Sequence, residues 1–382
     1  MKVLSIFGTR PEAIKLAPVI AELRQRRSIV SKVCVTAQHR EMLDQVLRLF
    51  GIVPDYDLNL MERDQTPSRL AAAVLTRLEA VFASARPDWV LVEGDTTTVA
   101  AASLAAFYAR IRVGHVEAGL RSHRKWQPFP EEINRRVTGV IADLHFAPTA
   151  QARQNLLSEG VPERQVVLTG NPVIDALRSI EVQPWDPRSL GKAGRALEGS
   201  PARLILVTAH RRENFGEPIE RICGALRDLA QRYGEGLRLF YPVHRNPNIW
   251  DPVHGLLRGI PNIILTPPLE YLALVHLMKR SWLVLTDSGG IQEEAPALGV
   301  PVLVMREVTE RPEAVASGNV RLVGTDRRRI VAETASLLDN PGEHERMARA
   351  VAPYGDGHAA RRIVDSLQGK PVIPFTSAGP SS

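Results

Sequence analysis

The sequence predicts an α/β protein of two domains, each built around a parallel sheet. Apolar runs of strand length alternate with amphipathic or Ala/Leu-rich stretches of helix length in both halves of the chain. With 382 residues, the chain is longer than one ordinary hydrophobic core accommodates. Residues 181–202 are polar, aperiodic and rich in Pro and Gly, which is typical of a linker or surface excursion near a domain boundary.

The first predicted strand and helix are joined by a glycine loop that carries cations. Residues 2–7 form the strand, and the turn Gly8-Thr9-Arg10-Pro11 places Pro11 in the first turn of the helix. The loop lacks the G-x-G-x-x-G pattern of dinucleotide folds and carries Arg10 and Lys15 instead. These cations indicate contact with a phosphate or a leaving group. Alternatively, Lys15 only extends its stem along an amphipathic helix.

Acidic residues follow two later strands. Residues 89–92 and 112–116 are predicted buried strands, with Asp95 just beyond the first and Glu117 just beyond the second. Because the ligands of parallel sheets lie beyond the carboxyl ends of the strands, both acids are candidate site residues. For Asp95, a helix N-cap is the alternative interpretation.

A basic loop, residues 120–129, leads into a helix that begins near Glu131. Glu131 and Arg135 stand at positions i and i+4 of this helix. That spacing is also the one of a plain helix salt bridge, so the pair alone does not identify a site.

The second half repeats the strand-then-turn pattern. Residues 204–208 form a strand that runs into His210, which takes the position corresponding to Arg10 in the first half. Residues 282–286 form another strand, and Asp287 with Ser288-Gly289-Gly290 breaks it before a helix. The amides of residues 288–290 suit a phosphate, because glycines let it approach the backbone closely.

Two charged side chains complete this candidate nucleotide site. Glu294 lies about one helical turn further on, where a carboxylate can accept both hydroxyls of a ribose. Arg311 supplies a fixed positive fork for a diphosphate. The alternative is an ordinary loop with a surface Glu pair, since Ser-Gly-Gly alone is a weak signal.

Composition narrows the classes of function. The formal net charge is +6, from 48 basic and 42 acidic residues that are scattered, and aromatic residues make up only 5%. This favours an anionic small molecule over nucleic acid. Cys34 and Cys223 match no metal or redox spacing, and no stretch approaches the ~20 apolar residues of a membrane span. We therefore predict a cytoplasmic protein with no metal, no cofactor and no membrane partner.

Several longer motifs together closely resemble the non-hydrolysing UDP-N-acetylglucosamine 2-epimerases. The likeness covers about residues 2–369, with motifs in both halves: FGTRPEAIKLAP, VEGDTTT, GHVEAGLRS, PFPEEINRR, TGNPVIDAL, TAHRRENFG, YPVH and LTDSGGIQEEAPALGVPVLVMREVTERPE. The resemblance implies two Rossmann-like domains of glycosyltransferase-B type, an active site in the cleft between them, and a homodimer. We place these domains at residues 1–170 and 171–357, with a helix at 358–369 packing back on the first and a frayed tail at 370–382.

The resemblance also implies roles for residues, carried over position by position. The matching nucleotide and sugar contacts are Arg10, Lys15, Arg135, His210, Ser288, Gly289, Gly290, Glu294 and Arg311. The base is expected against residues 268–274, including Leu269 and Leu274; Leu269 stands where some relatives have a polar residue, so only its backbone can bind uracil. The matching catalytic set is Asp95, Glu117 and Glu131, together with His210.

The implied reaction interconverts UDP-N-acetylglucosamine and UDP-N-acetylmannosamine. Carbon 2 is not next to a carbonyl, so direct deprotonation would leave an unstabilised carbanion. The family's route eliminates UDP to give a 2-acetamidoglucal and then adds UDP back with a proton on the opposite face. Asp95 and Glu131 are the candidates for proton transfer, with Glu117 holding the sugar or sharing that role. Crowded carboxylates raise one another's pKa, which would keep one of them protonated.

Other interpretations stay open. A hydrolysing epimerase, a UDP-sugar transferase of the same fold and a catalytically silent nucleotide-sugar binder are the rivals. Some relatives also bind UDP-N-acetylglucosamine at an activating site, for which Gln38 and His244 match, whereas Glu41 and Asp64 depart from the expected pattern.

Overall fold

The computed structural model describes residues 1–37, 40–60, 62, 65–349 and 353–376, apart from the side chain of Glu41. Within them the chain forms two compact units. The first unit comprises Met1–Arg178 and the described residues from Tyr354 onward, and the second comprises Ser179–Pro353. The domain boundaries proposed from the sequence, at residues 170 and 357, stay a prediction.

The first unit contains a parallel sheet of seven strands in the order β3-β2-β1-β4-β5-β6-β7. The strands are β1 (Lys2–Phe7), β2 (Val30–Val35), β3 (Tyr56–Asp57), β4 (Trp89–Glu93), β5 (Arg112–Val116), β6 (Leu144–Ala147) and β7 (Val166–Leu168). Its helices are α1 (Arg10–Gln25), α2 (Arg40–Leu49), α3 (Pro67–Ala85), α4 (Thr97–Tyr108), α5 (Glu131–Ile141), α6 (Ala150–Ser158) and α7 (Pro172–Glu181), whose last residues enter the second unit.

The second unit contains a parallel sheet of six strands in the order β10-β9-β8-β11-β12-β13. The strands are β8 (Arg203–Thr208), β9 (Leu237–Pro242), β10 (Ile263–Thr266), β11 (Leu283–Thr286), β12 (Val302–Val304) and β13 (Val320–Leu322). The helices are α8 (Lys192–Arg195), α9 (Glu217–Tyr233), α10 (Pro247–Leu257), α11 (Tyr271–Arg280), α12 (Ile291–Ala297), α13 (Pro312–Ala316), α14 (Arg327–Asp339) and α15 (Pro341–Met347). A last helix, α16 (Ala359–Leu367), belongs to the first unit.

These sheets confirm the predicted α/β class with two Rossmann-like domains. The central strands are buried along almost their whole length, as parallel sheets covered by helices on both faces require. The strand β3 was not predicted from the sequence. It has two residues, lies at the edge of the sheet and pairs with Cys34 and Val35. It is too short to show a periodicity of its own.

The last described residues pack within the first unit. Asp175 on α7 accepts hydrogen bonds from the backbone N–H groups of Ala359 and Ala360, which begin α16. Beyond α16, the Phe375 side chain is buried and its N–H donates to the Leu168 carbonyl at 2.9 Å. The predicted fraying therefore does not extend to Phe375, and residues 377–382 lie outside the described part. No helix among the described residues is long and apolar enough to cross a membrane.

Candidate functional site

Several predicted residues of the first unit follow the carboxyl ends of β1, β4 and β5. Glu93, the last residue of β4, pairs in register with Val116, the last of β5. Asp95 and Glu117 each lie one or two residues beyond those ends. Arg10 begins α1 directly after β1, and Lys15 lies one turn further along.

A buried ion cluster forms around Lys15. Its ammonium lies 3.0 Å from Glu93 Oε1 and forms an ion pair with Glu117 Oε2. Asn171 Nδ2 donates to the same Glu117 oxygen at 2.7 Å. Only 8% of Lys15 is exposed, so its ammonium is buried with these carboxylates and not extended into solvent. Burial raises the pKa of Glu93 well above its usual range; Lys15 opposes this, and the Glu117 and Glu12 carboxylates reinforce it.

Glu117 also has an unusual backbone. Its φ is 62°, in the left-handed region that side chains other than glycine seldom adopt. Such conformations cost roughly 1–3 kcal/mol and collect at functional sites. The sharp turn after β5 aims the carboxylate at Lys15.

Glu12 is a second buried acid in this unit. Its Oε2 accepts hydrogen bonds from the N–H groups of Gly8 and Thr9, and its Oε1 accepts one from Thr96 Oγ1 at 2.5 Å. Burial raises its pKa, and these donors lower it. Glu12 therefore ties the loop after β1 to the start of α4.

Asp95 is held by the helix that carries Glu131. Arg135 Nη2 donates to Asp95 Oδ2 at 2.5 Å, and Asn134 Nδ2 donates to the Asp95 carbonyl at 3.0 Å. Arg135 Nη1 also lies 3.4 Å from Glu132 Oε2. Arg135 thus contacts a residue just after β4. Its i, i+4 spacing from Glu131 predicts only a salt bridge within α5. A quarter of the Asp95 side chain stays exposed to solvent.

In the second unit, His210 faces a buried aspartate. Asp287, directly after β11, accepts hydrogen bonds at Oδ2 from the N–H groups of His210 and Arg211, both at 2.8 Å, and from Asn214 Nδ2. Its other oxygen, Oδ1, lies 3.2 Å from His210 Nδ1. The His210 side chain is 39% exposed.

The Ser-Gly-Gly turn is arranged differently from the sequence-based expectation. The Ser288 N–H already donates to Thr286 Oγ1 at 2.9 Å, so the three amides are not equivalent. Gly289 packs closely against Arg311, because a Cβ there would lie 2.6 Å from Arg311 Nη1. At Gly290 the nearest atom would be Glu294 Oε2 at 3.6 Å, an ordinary contact.

Arg311 belongs to a buried network of alternating charges. Its Nε donates to Glu293 Oε1 and its Nη1 to Glu310 Oε1, both at 2.6 Å. Arg306 Nη1 donates to the other Glu310 oxygen at 3.0 Å. Burial alone would raise the pKa of Glu310, but the guanidiniums of Arg311, Arg306 and Arg211 outweigh it and hold that pKa far below its usual range.

The remaining residues predicted to contact the nucleotide lie near the start of α11 and on α12. Tyr271 Oη donates to Glu294 Oε1 at 2.5 Å, which orients a carboxylate that is itself buried. Leu269 is buried and Leu274 half-buried. Among the described residues, no group of three His, Cys, Asp or Glu side chains is arranged to hold a metal ion.

For the activating site inferred from resemblance, His244 stacks on His210 with ring centroids 5.9 Å apart. Gln38 and Asp64 lie outside the described residues, as does the side chain of Glu41.

Several residues of these clusters were not singled out from the sequence as site residues, among them three acids and one amide. Their roles depend on contacts with residues far away in the chain: Glu12, Glu93, Asn171 and Asp287. Glu93 and Asp287 carried one usable signal, since each stands at or just after the end of an apolar strand.

Comparisons with known proteins identify the family. The family model described as Epimerase_2, UDP-N-acetylglucosamine 2-epimerase, matches residues 21–368. The chain is 54% identical over 371 residues to the UDP-N-acetylglucosamine 2-epimerase of Escherichia coli strain K12, which covers 96% of this chain and 98% of that protein. It matches the UDP-GlcNAc 2-epimerase from Neisseria meningitidis bound to UDP-GlcNAc with a TM-score of 0.90 and 49% identity, over 97% of this chain and 100% of that one. The S. aureus MnaA structure with UDP matches with a TM-score of 0.91 and 45% identity, over 98% and 100% of the two chains.

Proposed function

The chain belongs to the UDP-N-acetylglucosamine 2-epimerase family, and we propose that it interconverts UDP-N-acetylglucosamine and UDP-N-acetylmannosamine without hydrolysis. A carboxylate takes the proton from carbon 2 while the bond between carbon 1 and the diphosphate oxygen breaks. The electrons of the carbon–hydrogen bond form the double bond of a 2-acetamidoglucal, and those of the carbon–oxygen bond leave with UDP. UDP then adds back as a proton arrives on the opposite face.

The observation that carries this proposal is the pair of acidic positions at the ends of β4 and β5. Asp95 is partly exposed and anchored by Arg135, so it can reach a substrate without losing its orientation. Glu117 lies at the neighbouring strand end, and Glu131 begins the helix that supplies Arg135. We assign proton transfer to Asp95 and Glu131, and sugar positioning or a shared role to Glu117.

The second unit supplies groups for the leaving diphosphate. His210 Nδ1 lies 3.2 Å from Asp287 Oδ1 and the side chain is partly exposed, and we assign its imidazole to the diphosphate. Arg311 lies against Gly289, which brings a guanidinium next to the Ser-Gly-Gly turn. We propose that these groups retain UDP after elimination, as preorganised positive potential stabilises a developing anion. Glu294, oriented by Tyr271, is assigned to the ribose hydroxyls. Arg10 and Lys15 are assigned to the sugar end, and Leu269 and Leu274 to the base.

To test this proposal, purified protein is incubated with UDP-N-acetylglucosamine in deuterated water with EDTA present. The sugar is followed by proton NMR. We expect UDP-N-acetylmannosamine labelled with deuterium at carbon 2, without accumulation of free sugar. Free N-acetylmannosamine plus UDP would instead identify a hydrolysing enzyme. Unchanged, unlabelled substrate would overturn the epimerase proposal.

We also propose that the protein is a homodimer. Apolar side chains are exposed along the outer face of α5 and at the end of α4: Phe107, Tyr108, Ile133, Val137 and Val140. The three α5 residues recur at helical spacing and form one stripe. Light scattering after gel filtration should give a dimer, and Val140→Glu should shift it toward monomer. A monomeric wild type would contradict this proposal.

A further inference from the structure

Glu93 is a buried acid to which the mechanism above gives no task. It is 1% exposed at the end of β4 and lies 3.0 Å from the ammonium that also pairs with Glu117. Burying a charged group without a full counter-charge is costly, so a residue of this kind needs an explanation. The charge balance of its surroundings supplies one.

Among the described residues, the charged groups that act on Glu93 are one ammonium and two further carboxylates. Glu93 faces Lys15 and Glu12 from α1 and Glu117 from the end of β5. Glu12 has its own three donors, namely the Gly8 and Thr9 N–H groups and the Thr96 hydroxyl. Lys15 is the cation that acts on Glu93, and it is shared with Glu117, so its single charge is divided between two buried carboxylates.

The hydrogen bonds indicate which of the two carries the proton. Glu117 Oε2 accepts from both Lys15 and Asn171, which stabilises its charged form. Burial favours the neutral form of Glu93.

We propose that Glu93 is a positioning residue that carries a proton. As a neutral acid it supports the Lys15 ammonium and leaves it paired with the Glu117 carboxylate, and when it ionises it competes for that ammonium. This inference rests on the proposed function, because Glu117 is the group through which Glu93 acts on the reaction.

The test compares wild type with Glu93→Gln and Glu93→Leu in the isomerisation assay across pH. Gln imitates the neutral acid and cannot ionise. We therefore expect Glu93→Gln to keep kcat within about twofold at neutral pH and to retain activity at higher pH, where the wild type declines. Leu offers Lys15 no acceptor, so kcat should fall at least about tenfold with KM changed less than about threefold. Glu22→Gln, a charge loss on α1 outside the cluster, should reproduce the wild-type profile.

A second measurement does not depend on activity. The ordinary pKa of the group is 4.5, and the folded protein raises it. Above pH 4.5 the unfolded chain releases this proton while the folded chain retains it, so the wild type loses stability as pH rises toward the folded pKa. The thermal unfolding midpoint of Glu93→Gln should therefore rise relative to that of the wild type as pH increases.

A midpoint difference that stays constant with pH would overturn the proposal. So would a Glu93→Gln variant as impaired as Glu93→Leu, or one with the wild-type alkaline decline. If the wild type itself does not isomerise UDP-N-acetylglucosamine, the proposed function fails, and the unfolding comparison still decides the protonation of Glu93.

Discussion

Glu93 in the first unit and Glu310 in the second are buried acids of the same kind with opposite behaviour. Burial disfavours the charge of both. The pKa of Glu93 is raised well above its usual range, whereas that of Glu310 is held far below it. The difference lies in the number of cations: Glu93 shares one ammonium, and Glu310 faces three guanidiniums.

This contrast suits the tasks proposed for the two units. Buried carboxylates with few cations nearby have raised pKa values and retain protons. A site that moves a proton at carbon 2 of the sugar needs groups that can hold a proton. A network rich in guanidiniums retains positive potential, which an anionic diphosphate needs. Arginine serves here because it stays protonated when buried, whereas a lysine would lose its proton more readily.

The largest effect is expected where the first unit acts on the substrate directly. Asp95→Asn and Glu131→Gln remove groups assigned to proton transfer, and each should lower kcat roughly 100- to 10,000-fold. Deuterium incorporation at carbon 2 measures the step itself. Glu163→Gln, at an exposed position, is the control. Wild-type turnover in either variant would contradict the assignment.

Removing the central acid of the second network should chiefly reduce stability. Glu310→Gln leaves Arg306 and Arg311 facing a neutral amide, and we expect a loss of about 3–5 kcal/mol in denaturant unfolding. Because the folded pKa is lowered, this contribution is present above the ordinary value of 4.5 and is lost as pH falls through the folded pKa. The difference in the free energy of unfolding between wild type and Glu310→Gln should therefore become smaller at acidic pH. A gap independent of pH would contradict the ion network.

The packing of Arg311 against the turn is tested by a pair of alanines. In Gly289→Ala the new Cβ would lie 2.6 Å from Arg311 Nη1, so the guanidinium must move. We expect a loss of about 1–3 kcal/mol in stability, together with weaker UDP binding by calorimetry. Gly290→Ala is the matched control, since its Cβ meets only Glu294 Oε2 at 3.6 Å. Equal effects in both variants would show that Arg311 is not the cause.

The smallest effect is expected at an ion pair outside both clusters. Arg327 donates to both oxygens of Asp228, but both side chains are at least a third exposed. Asp228→Asn should therefore cost less than about 1 kcal/mol in denaturant unfolding. A loss comparable with that of Glu310→Gln would mean that burial does not separate the two kinds of pair.

Most strands and the residues that follow their ends could be predicted from the sequence. Asp95, Glu117 and Ser288 all follow short apolar runs, and in parallel sheets that position faces ligands. The signal is local, because it needs only a strand followed by a turn.

The partners of these residues could not be predicted in this way. Lys15 and Glu117 are 102 positions apart, and Arg135 reaches Asp95 across 40. A spacing of four residues offered Arg135 a simpler partner on its own helix. That Arg135 also reaches Asp95 depends on how α5 packs beside β4, and that is a property of the tertiary fold.

Because Glu117 has a left-handed backbone conformation, selection for stability alone should replace this residue. Glycine adopts a φ of 62° without strain, and losing the carboxylate would leave Lys15 and Glu93 as a balanced pair. Both changes favour the folded state. A laboratory screen for heat resistance that does not measure turnover should therefore enrich Glu117→Gly. We expect that variant to be more stable than the wild type and to have lost activity.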